Sequence, residues 1–467
     1  MKLNNSIFVE NRVIEAQKHL VEQIKDREDR PKKYHIVTFG CQMNVNDSQK
    51  LAYMLEQMGM EQCASRKDAE LVIFNTCCIR ENAERKALGN IMWLKELKKE
   101  RPELLIAVCG CMIQQPEMLD VLLKQYKFID LAFGTHNLHT FPELLLQFLT
   151  KRQQIIAIND EHVIAEGLES KRDIPHHAYV SIMFGCNNFC TFCIVPYVRG
   201  RERSRKFDDI LYEVDALVNG GAQEIMLLGQ NVNSYGKNNE EQQNFPNLLR
   251  RLNEMGVPRI RFMTSHPKDL SDELVAVIAE CEHVAKHIHL PIQSGSSKIL
   301  RAMNRIYNRE QYLHLVDKLR SNIPNIGITT DIIVGFPGET EEDFTETLSL
   351  VDLVRYDSAF SFIYSKRKGT KAALMDNLPS KEISNERLQR LNKHINEHAH
   401  EALAQQLGRQ ELILIDDISP KEPEYVYGRS SRNIKVLLQG TQEDIGKFIH
   451  VDIDKFQKNT LYGKRIQ

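Results

Sequence analysis

Six of the ten cysteines in this 467-residue chain fall into two sets of three whose types and placement could hold a metal cluster. Cys186, Cys190 and Cys193 form a C-x3-C-x2-C run inside "SIMFGCNNFCTFCIVPYVRGRERSR", residues 181–205. Spacings of four and three let one tight loop wrap three sulfurs around a single cubane. Three thiolates on a four-iron cluster leave one iron without a protein ligand, and an open metal position is how a site does chemistry instead of only holding structure. Zinc is the competing reading, but the nearest downstream histidine is His266, so a local zinc knuckle is disfavoured. Cys41, Cys77 and Cys111 stand 36 and 34 residues apart, each at or just past the end of an apolar run, with Gly or Asn beside the sulfur. In an open parallel sheet the loops beyond the strand C-termini converge on one edge, so three such thiols can meet. Cys78 and Cys109 lie within two positions of this set, with no role assigned. Cys63 and Cys281 read as ordinary buried cysteines.

The elements that must position these residues are legible as alternating runs. "HIVTFG", "LVIFNT", "LLIAVCG" and "IDLAFG" are short and nearly continuously apolar, with helical spacing between them (Leu51, Met54, Leu55, Met58). That pattern predicts buried parallel strands and an open α/β domain over residues 34–150. Residues 1–33 read as an amphipathic helix (Val9, Val13, Leu20, Ile24) and a solvated appendage; 151–175 read as a polar linker. Six further runs follow, from "AYVSIMFG" to "SAFSFIYS", each separated by enough residues for one helix. They predict a partial (β/α)6 barrel over 176–400, with function at the C-terminal strand ends. The tail, 401–467, changes period to five short strands and predicts a small OB-like β-barrel. The fold class is α/β.

Composition narrows the function classes. Hydrophobic residues make up 42% and charged residues 27%, ordinary for a globular protein, and no apolar run reaches the roughly 18 residues of a membrane span. The charged N-terminus does not resemble a signal peptide, so a cytoplasmic location is expected. Cysteines there are expected to serve metal or redox chemistry more than disulfides. With a formal net charge of −2, any nucleic acid must be held by local basic patches. Two such patches stand out: Arg199, Arg201, Arg203, Arg205 and Lys206 after the second triplet, and Arg429, Arg432 and Lys435 with Tyr425 and Tyr427 in the tail. The tail patch, basic residues interleaved with aromatics, suits single-stranded RNA; for the first, a charge run's usual reading as a solvated face competes with phosphate contact beside the cysteine loop.

C-x3-C-x2-C with Phe192 before the last cysteine resembles the signature of radical S-adenosylmethionine enzymes. "LLGQNVNSYG", "RIRFMTSHP", "HLPIQSGSSKILRAMNR", "DIIVGFPGET", "TFGCQMN" and "NTCCIRENAE" resemble the methylthiotransferase family within it, and the tail is similar to the TRAM RNA-binding module. The resemblance covers residue 34 to the end. It implies two [4Fe–4S] clusters: a radical cluster on Cys186, Cys190 and Cys193 and an auxiliary cluster on Cys41, Cys77 and Cys111. It implies S-adenosylmethionine as both methyl donor and radical source, with Phe192, Gln230, Asn231, Gln293, Ser294, Gly295 and Asp331 as cofactor contacts. The last six are polar groups where strands finish, which ordinary turn and cap chemistry also explains. The implied reaction is methylthiolation of C2 of N6-isopentenyladenosine at position 37 of tRNA. The anticodon stem-loop is the expected partner, a flavodoxin or ferredoxin the electron donor, and the protein a monomer. Alternatives are a family member acting on N6-threonylcarbamoyladenosine, and a non-catalytic zinc protein that binds RNA.

Overall fold

The computed structural model describes residues 7–78, 81–159, 163–237 and 243–466. Residues 1–6 of the expected N-terminal helix, 79–83 of "NTCCIRENAE" in whole or in side chain, and 160–162 of the expected linker lie outside that description. The chain forms two compact units: Met1–Asp173 with Ser181–Asn187 and Cys193–Ile210, and Ile174–Val180 with Asn188–Phe192 and Leu211–Gln467.

The first unit is built on a six-stranded sheet. Its order is Glu61–Gln62, Lys33–Thr38, Leu71–Thr76, Leu105–Gly110, Leu131–Phe133, Ile155–Ala157, and every neighbouring pair is parallel. Leu71–Thr76 and Leu105–Gly110 are buried at every position, as near-continuous apolar runs require. An apolar cluster covers each face of the sheet. Ile194 and Val198, just after Cys193, are packed into one of them. Burying two such side chains contributes about 3–6 kcal/mol, enough to seat that segment against the sheet.

Three expectations are corrected. The N-terminal helix, Asn11–Lys25, is no solvated appendage: its buried face is Ile14, Gln17, Val21 and Ile24, and Gln17 donates to Glu143 at 3.5 Å. A polar residue at the centre of that face hid its true phase, so of the four apolar residues expected to mark it only Ile24 is fully buried. The expected linker contributes Ile155–Ala157 to the sheet, and Val163–Ile164 pairs in parallel with Ile7–Phe8. Runs of two or three residues in a polar stretch, without a longer apolar run around them, do not stand out as strands. "AYVSIMFG" is two strands, His177–Ser181 and Met183–Phe184, and the second pairs antiparallel with Arg203–Ser204.

The second unit holds the partial barrel. His177–Ser181, Glu224–Leu228 and Ile260–Phe262 make one three-stranded sheet; His287–His289, Gly327–Val334 and Ser358–Ile363 make the other. An isolated parallel bridge pairs Ile260 with Val284, three residues before His287. The helix Lys381–Ala404 leads to a closed five-stranded barrel, in the order Gln410–Ile418, Tyr425–Arg429, Lys435–Gln439, Thr460–Arg465, Phe448–Gln457. Lys435–Gln439 and Thr460–Arg465 are parallel and the other pairs antiparallel, as in an OB-type barrel.

Buried arginines tie this small barrel to the larger one. Arg259 donates to Arg429 O at 2.8 Å and Leu412 O at 2.7 Å, and Arg261 to Ser430 O at 2.7 Å. Asp416 is the extra residue of a bulge between Ile415 and Asp417, which turns its carboxylate onto His177 Nε2 at 2.8 Å. Among the described residues no helix is long and apolar enough to cross a membrane.

Candidate functional site

The first triplet assembles where adjacent parallel strands end. Cys41 sits at the N-cap of the helix Gln42–Gln57, Cys77 follows Leu71–Thr76, and Cys111 follows Leu105–Gly110. Gly40 lies so close to Cys77 that a Cβ there would stand 2.5 Å from Cys77 Cβ and 2.8 Å from its sulfur, and its φ is +113°. Only glycine fits both restrictions. Asn44 binds the loops together, its Nδ2 donating to Phe39 O at 2.8 Å and Thr76 O at 3.0 Å.

A buried cation completes this site. Arg199 Nε donates to Cys111 Sγ at 3.0 Å and Nη2 to Asn44 Oδ1 at 2.8 Å, with Asp47 at 3.3 Å. Hydrogen bonding from Cys78 draws the Cys111 thiol pKa down; burial opposes this and the Arg199 charge adds to it. Cys78 moves the other way, as the partner that keeps its proton. Three thiols and a buried arginine suit an anionic cluster, because a cation taken out of water needs a compensating negative group. A cavity of about 50 Å³ adjoins Arg199, walled partly by Asp47, Lys50, His136, His139 and Arg203. It has room for a few waters and not for a nucleoside.

The second triplet lies on one loop, with contacts made within each unit. In the first unit, Cys186 N donates to Gly200 O at 3.1 Å, and Asn187 and Glu202 exchange backbone-to-side-chain hydrogen bonds at 3.2 Å. Gly185 (φ +76°) admits no Cβ, which would fall 2.1 Å from Arg201 O. In the second unit, Arg305 Nη1 donates to Cys190 Sγ at 3.4 Å, Nη2 to Pro291 O at 2.6 Å and Nε to Tyr307 Oη at 2.8 Å. Asn304 Nδ2 donates to Phe189 O at 3.0 Å, holding that residue at φ +47°. Phe192 packs on Ile299, Met303, Phe336, Tyr364 and Ala372.

The expected cofactor contacts divide into groups that fix the loops and half-buried groups at the strand ends. Asn231 is spent on structure: Nδ2 donates to Asp269 at 2.6 Å and Oδ1 accepts from His266 N at 3.1 Å. Gly295 N donates to Thr347 Oγ1 at 2.9 Å, and Ser294 Oγ lies 3.4 Å from the same oxygen. These bonds position the loop against the helix Glu341–Val354. Gln293 has φ +71°, its backbone bonded to Asp331 O and Ile333 N at 2.9 Å. Gln230 and Asp331 are half-buried, and Asp331 lies 3.5 Å from His289 Nε2. Sequence reasoning missed Arg305, although it closes the motif "ILRAMNR".

The basic patches are corrected. Arg199, Arg203 and Arg205 are buried and internally bonded, Arg203 to Arg199 O at 3.2 Å and Arg205 to Glu166 at 2.5 Å. Arg432 is also buried, paired with Asp357 and donating to Asn325 O at 2.9 Å. Phosphate contact would require breaking these bonds, so the four are structural. Arg201, Lys206 and Arg429 are exposed, and half-buried Lys435 stands 4.0 Å over the Tyr427 ring.

Two family models match the chain: the radical SAM superfamily over residues 180–351 and the uncharacterized protein family UPF0004 over 33–134. The tRNA-2-methylthio-N(6)-dimethylallyladenosine synthase of Alkaliphilus oremlandii is 49% identical over 470 residues, covering all of both chains. The chain belongs to that family of radical S-adenosylmethionine enzymes. The synthase of Caldicellulosiruptor saccharolyticus is 52% identical, with 93% of each chain covered. Among solved structures, the radical S-adenosylmethionine methyltransferase TsrM of Kitasatospora setae aligns with a TM-score of 0.53 at 14% identity, over 73% of this chain and 77% of that one. The cobalamin-dependent radical enzyme OxsB aligns with a TM-score of 0.50 at 14% identity, over 79% and 56%. These two bear on the fold alone.

Proposed function

We propose that this enzyme methylthiolates C2 of N6-isopentenyladenosine at position 37 of tRNA, consuming S-adenosylmethionine as methyl donor and as radical source. The observation that carries the reading is the meeting of Cys41, Cys77 and Cys111 at adjacent strand ends beside a buried arginine, in a chain that also carries the C-x3-C-x2-C loop. Cys186, Cys190 and Cys193 would hold one [4Fe–4S] cluster and Cys41, Cys77 and Cys111 the other. When bound, these groups supply the electron that generates a 5′-deoxyadenosyl radical and the place where sulfur is carried, chemistry beyond polar side chains at an unactivated C2–H bond.

The chain's own residues bind, orient and shield. Phe192 and its apolar neighbours keep water from the loop between Cys190 and Cys193. Gln230, Gln293 and Asp331 are the proposed polar contacts for S-adenosylmethionine, while Asn231, Ser294 and Gly295 fix the loops that carry them. Arg201, Lys206, Arg429 and Lys435 are the proposed RNA contacts. Tyr425, Tyr427 and Arg429 alternate with buried Val426 and Gly428, so they share the outer face of one strand and offer stacking beside charge. A radical core over 176–400 and a terminal module over 401–467, a cytoplasmic setting, a monomeric state and a flavodoxin or ferredoxin donor complete the proposal.

Mass spectrometry of tRNA nucleosides after reaction with anaerobically reconstituted enzyme tests it. A 2-methylthio product on isopentenyladenosine is expected. Product on threonylcarbamoyladenosine alone, or a colourless protein holding zinc without iron or sulfide, would overturn it.

A further inference from the structure

Arg199 was expected to face RNA; instead it is 4% exposed and bonded to the sulfur of Cys111. A separation of 3.0 Å is short for a nitrogen facing an atom as large as sulfur, whereas the Asp47 oxygen lies farther off, at 3.3 Å. The guanidinium also reaches the other two cysteine loops. Its Nη2 holds Asn44 Oδ1, and Asn44 Nδ2 holds Phe39 O, two residues before Cys41, and Thr76 O, directly before Cys77. One cation is thus linked to all three strand ends. An ion pair with Asp47 alone would not require this arrangement.

We propose that Arg199 is the positioning residue of the auxiliary site, donating its Nε–H to the ligating sulfur of Cys111 and setting the reduction potential of the cluster held there. This rests on the proposed assignment of Cys41, Cys77 and Cys111 as cluster ligands. A hydrogen bond and a positive charge at a ligating sulfur stabilise the more negative, reduced form, so they raise the potential. Arginine suits the task better than lysine, because its planar fork serves the sulfur and the Asn44 carbonyl at once.

The test uses the full chain carrying C186A, C190A and C193A, so that any iron signal comes from the auxiliary site. Iron and sulfide are counted, and the midpoint potential is measured by titration. Arg199→Met and Arg199→Gln should shift the midpoint to more negative values, with Arg199→Lys between them and the parent. Arg305→Gln, which removes a buried arginine elsewhere, should leave the midpoint unmoved. A parent labelled with guanidinium-15N arginine should show a 15N hyperfine coupling in the reduced cluster's pulsed EPR spectrum, lost in Arg199→Lys. If the parent binds no iron, the ligand assignment fails and the proposal with it. If the parent binds a cluster and the midpoint of Arg199→Met is unchanged, the proposal alone fails. Where the Arg199 variants do not load iron, the 15N coupling in the parent decides, and its absence overturns the role of Arg199.

Discussion

His177 is the most sharply testable tie in the second unit. It lies at the start of the first barrel strand, between Glu224 at 3.3 Å and Asp416 of the small barrel at 2.8 Å. Burial pulls its pKa down, but the hydrogen bonds and charges of Asp416 and Glu224 prevail and raise it from 6.5 to about 9. Burial and the His177 charge lower the His176 pKa, while Arg261 donates to Glu224 at 2.6 Å and Arg259 lies 3.9 Å from it. A folded pKa above the unfolded one stabilises fully below about pH 6.5, and that stabilisation is lost as pH rises through 9. A rise from 6.5 to about 9 is worth about 3 kcal/mol at low pH and about 2 kcal/mol at pH 7.5, using roughly 1.4 kcal/mol per unit.

His177→Gln should therefore lose about 3 kcal/mol at pH 6.5 and almost nothing relative to the parent at pH 9.5. Urea unfolding followed by far-UV circular dichroism reads the change. The single tryptophan, Trp93, lies in the first unit, so its fluorescence serves as an internal reference that should not move. If parent and variant lose stability in parallel between pH 6.5 and 9, the protonated-bridge account is wrong.

Replacing Cys186, Cys190 and Cys193 by Ala should abolish 5′-deoxyadenosine formation, whereas replacing Cys41, Cys77 and Cys111 should retain it and lose the methylthio product, both read by liquid chromatography. Gly40→Ala pushes a methyl into Cys77, and iron analysis should find about four irons per chain instead of about eight. Arg432→Met leaves Asp357 buried without its partner and should cost about 3–5 kcal/mol in urea unfolding. Combined Arg201→Gln and Lys206→Gln should weaken tRNA binding and make its salt dependence shallower, by about 0.7–0.9 in slope for each phosphate no longer neutralised, which filter binding against salt concentration measures.

The barrel strands were readable because each lies in an apolar run separated from the next by a helix length, and the tail because its strands display a period, "YVYGR" alternating faces through all five residues. The triplet Cys41, Cys77 and Cys111 was readable because glycine and asparagine mark the strand ends, and Cys186, Cys190 and Cys193 were readable from their C-x3-C-x2-C spacing. Direction was not readable for charges. A run of arginines has the same composition whether it meets water or folds inward onto Cys111, Glu166 and backbone carbonyls. Arg259, Arg261 and Arg432 similarly gave no sign of joining two barrels, since their partners are carbonyls and acids up to 170 residues away. Gln17 hid a helix face for the reverse reason, being a polar residue placed inside.

Cys111 and Arg199 are 88 residues apart in the chain, and this bears on how the protein is made and how it can be cut. The three cysteines proposed for the auxiliary cluster leave the ribosome long before the arginine, Ile194 and Val198 that close their surroundings. Iron delivered to such a nascent chain would meet an unfinished site, so loading is expected only after Arg199 has emerged. A fragment ending at Asp173 would keep the whole six-stranded sheet and lose the cation. An excised first domain is therefore a poor surrogate for the auxiliary site, and a truncation meant to simplify its spectroscopy should extend at least to Ile210 with the intervening loops intact.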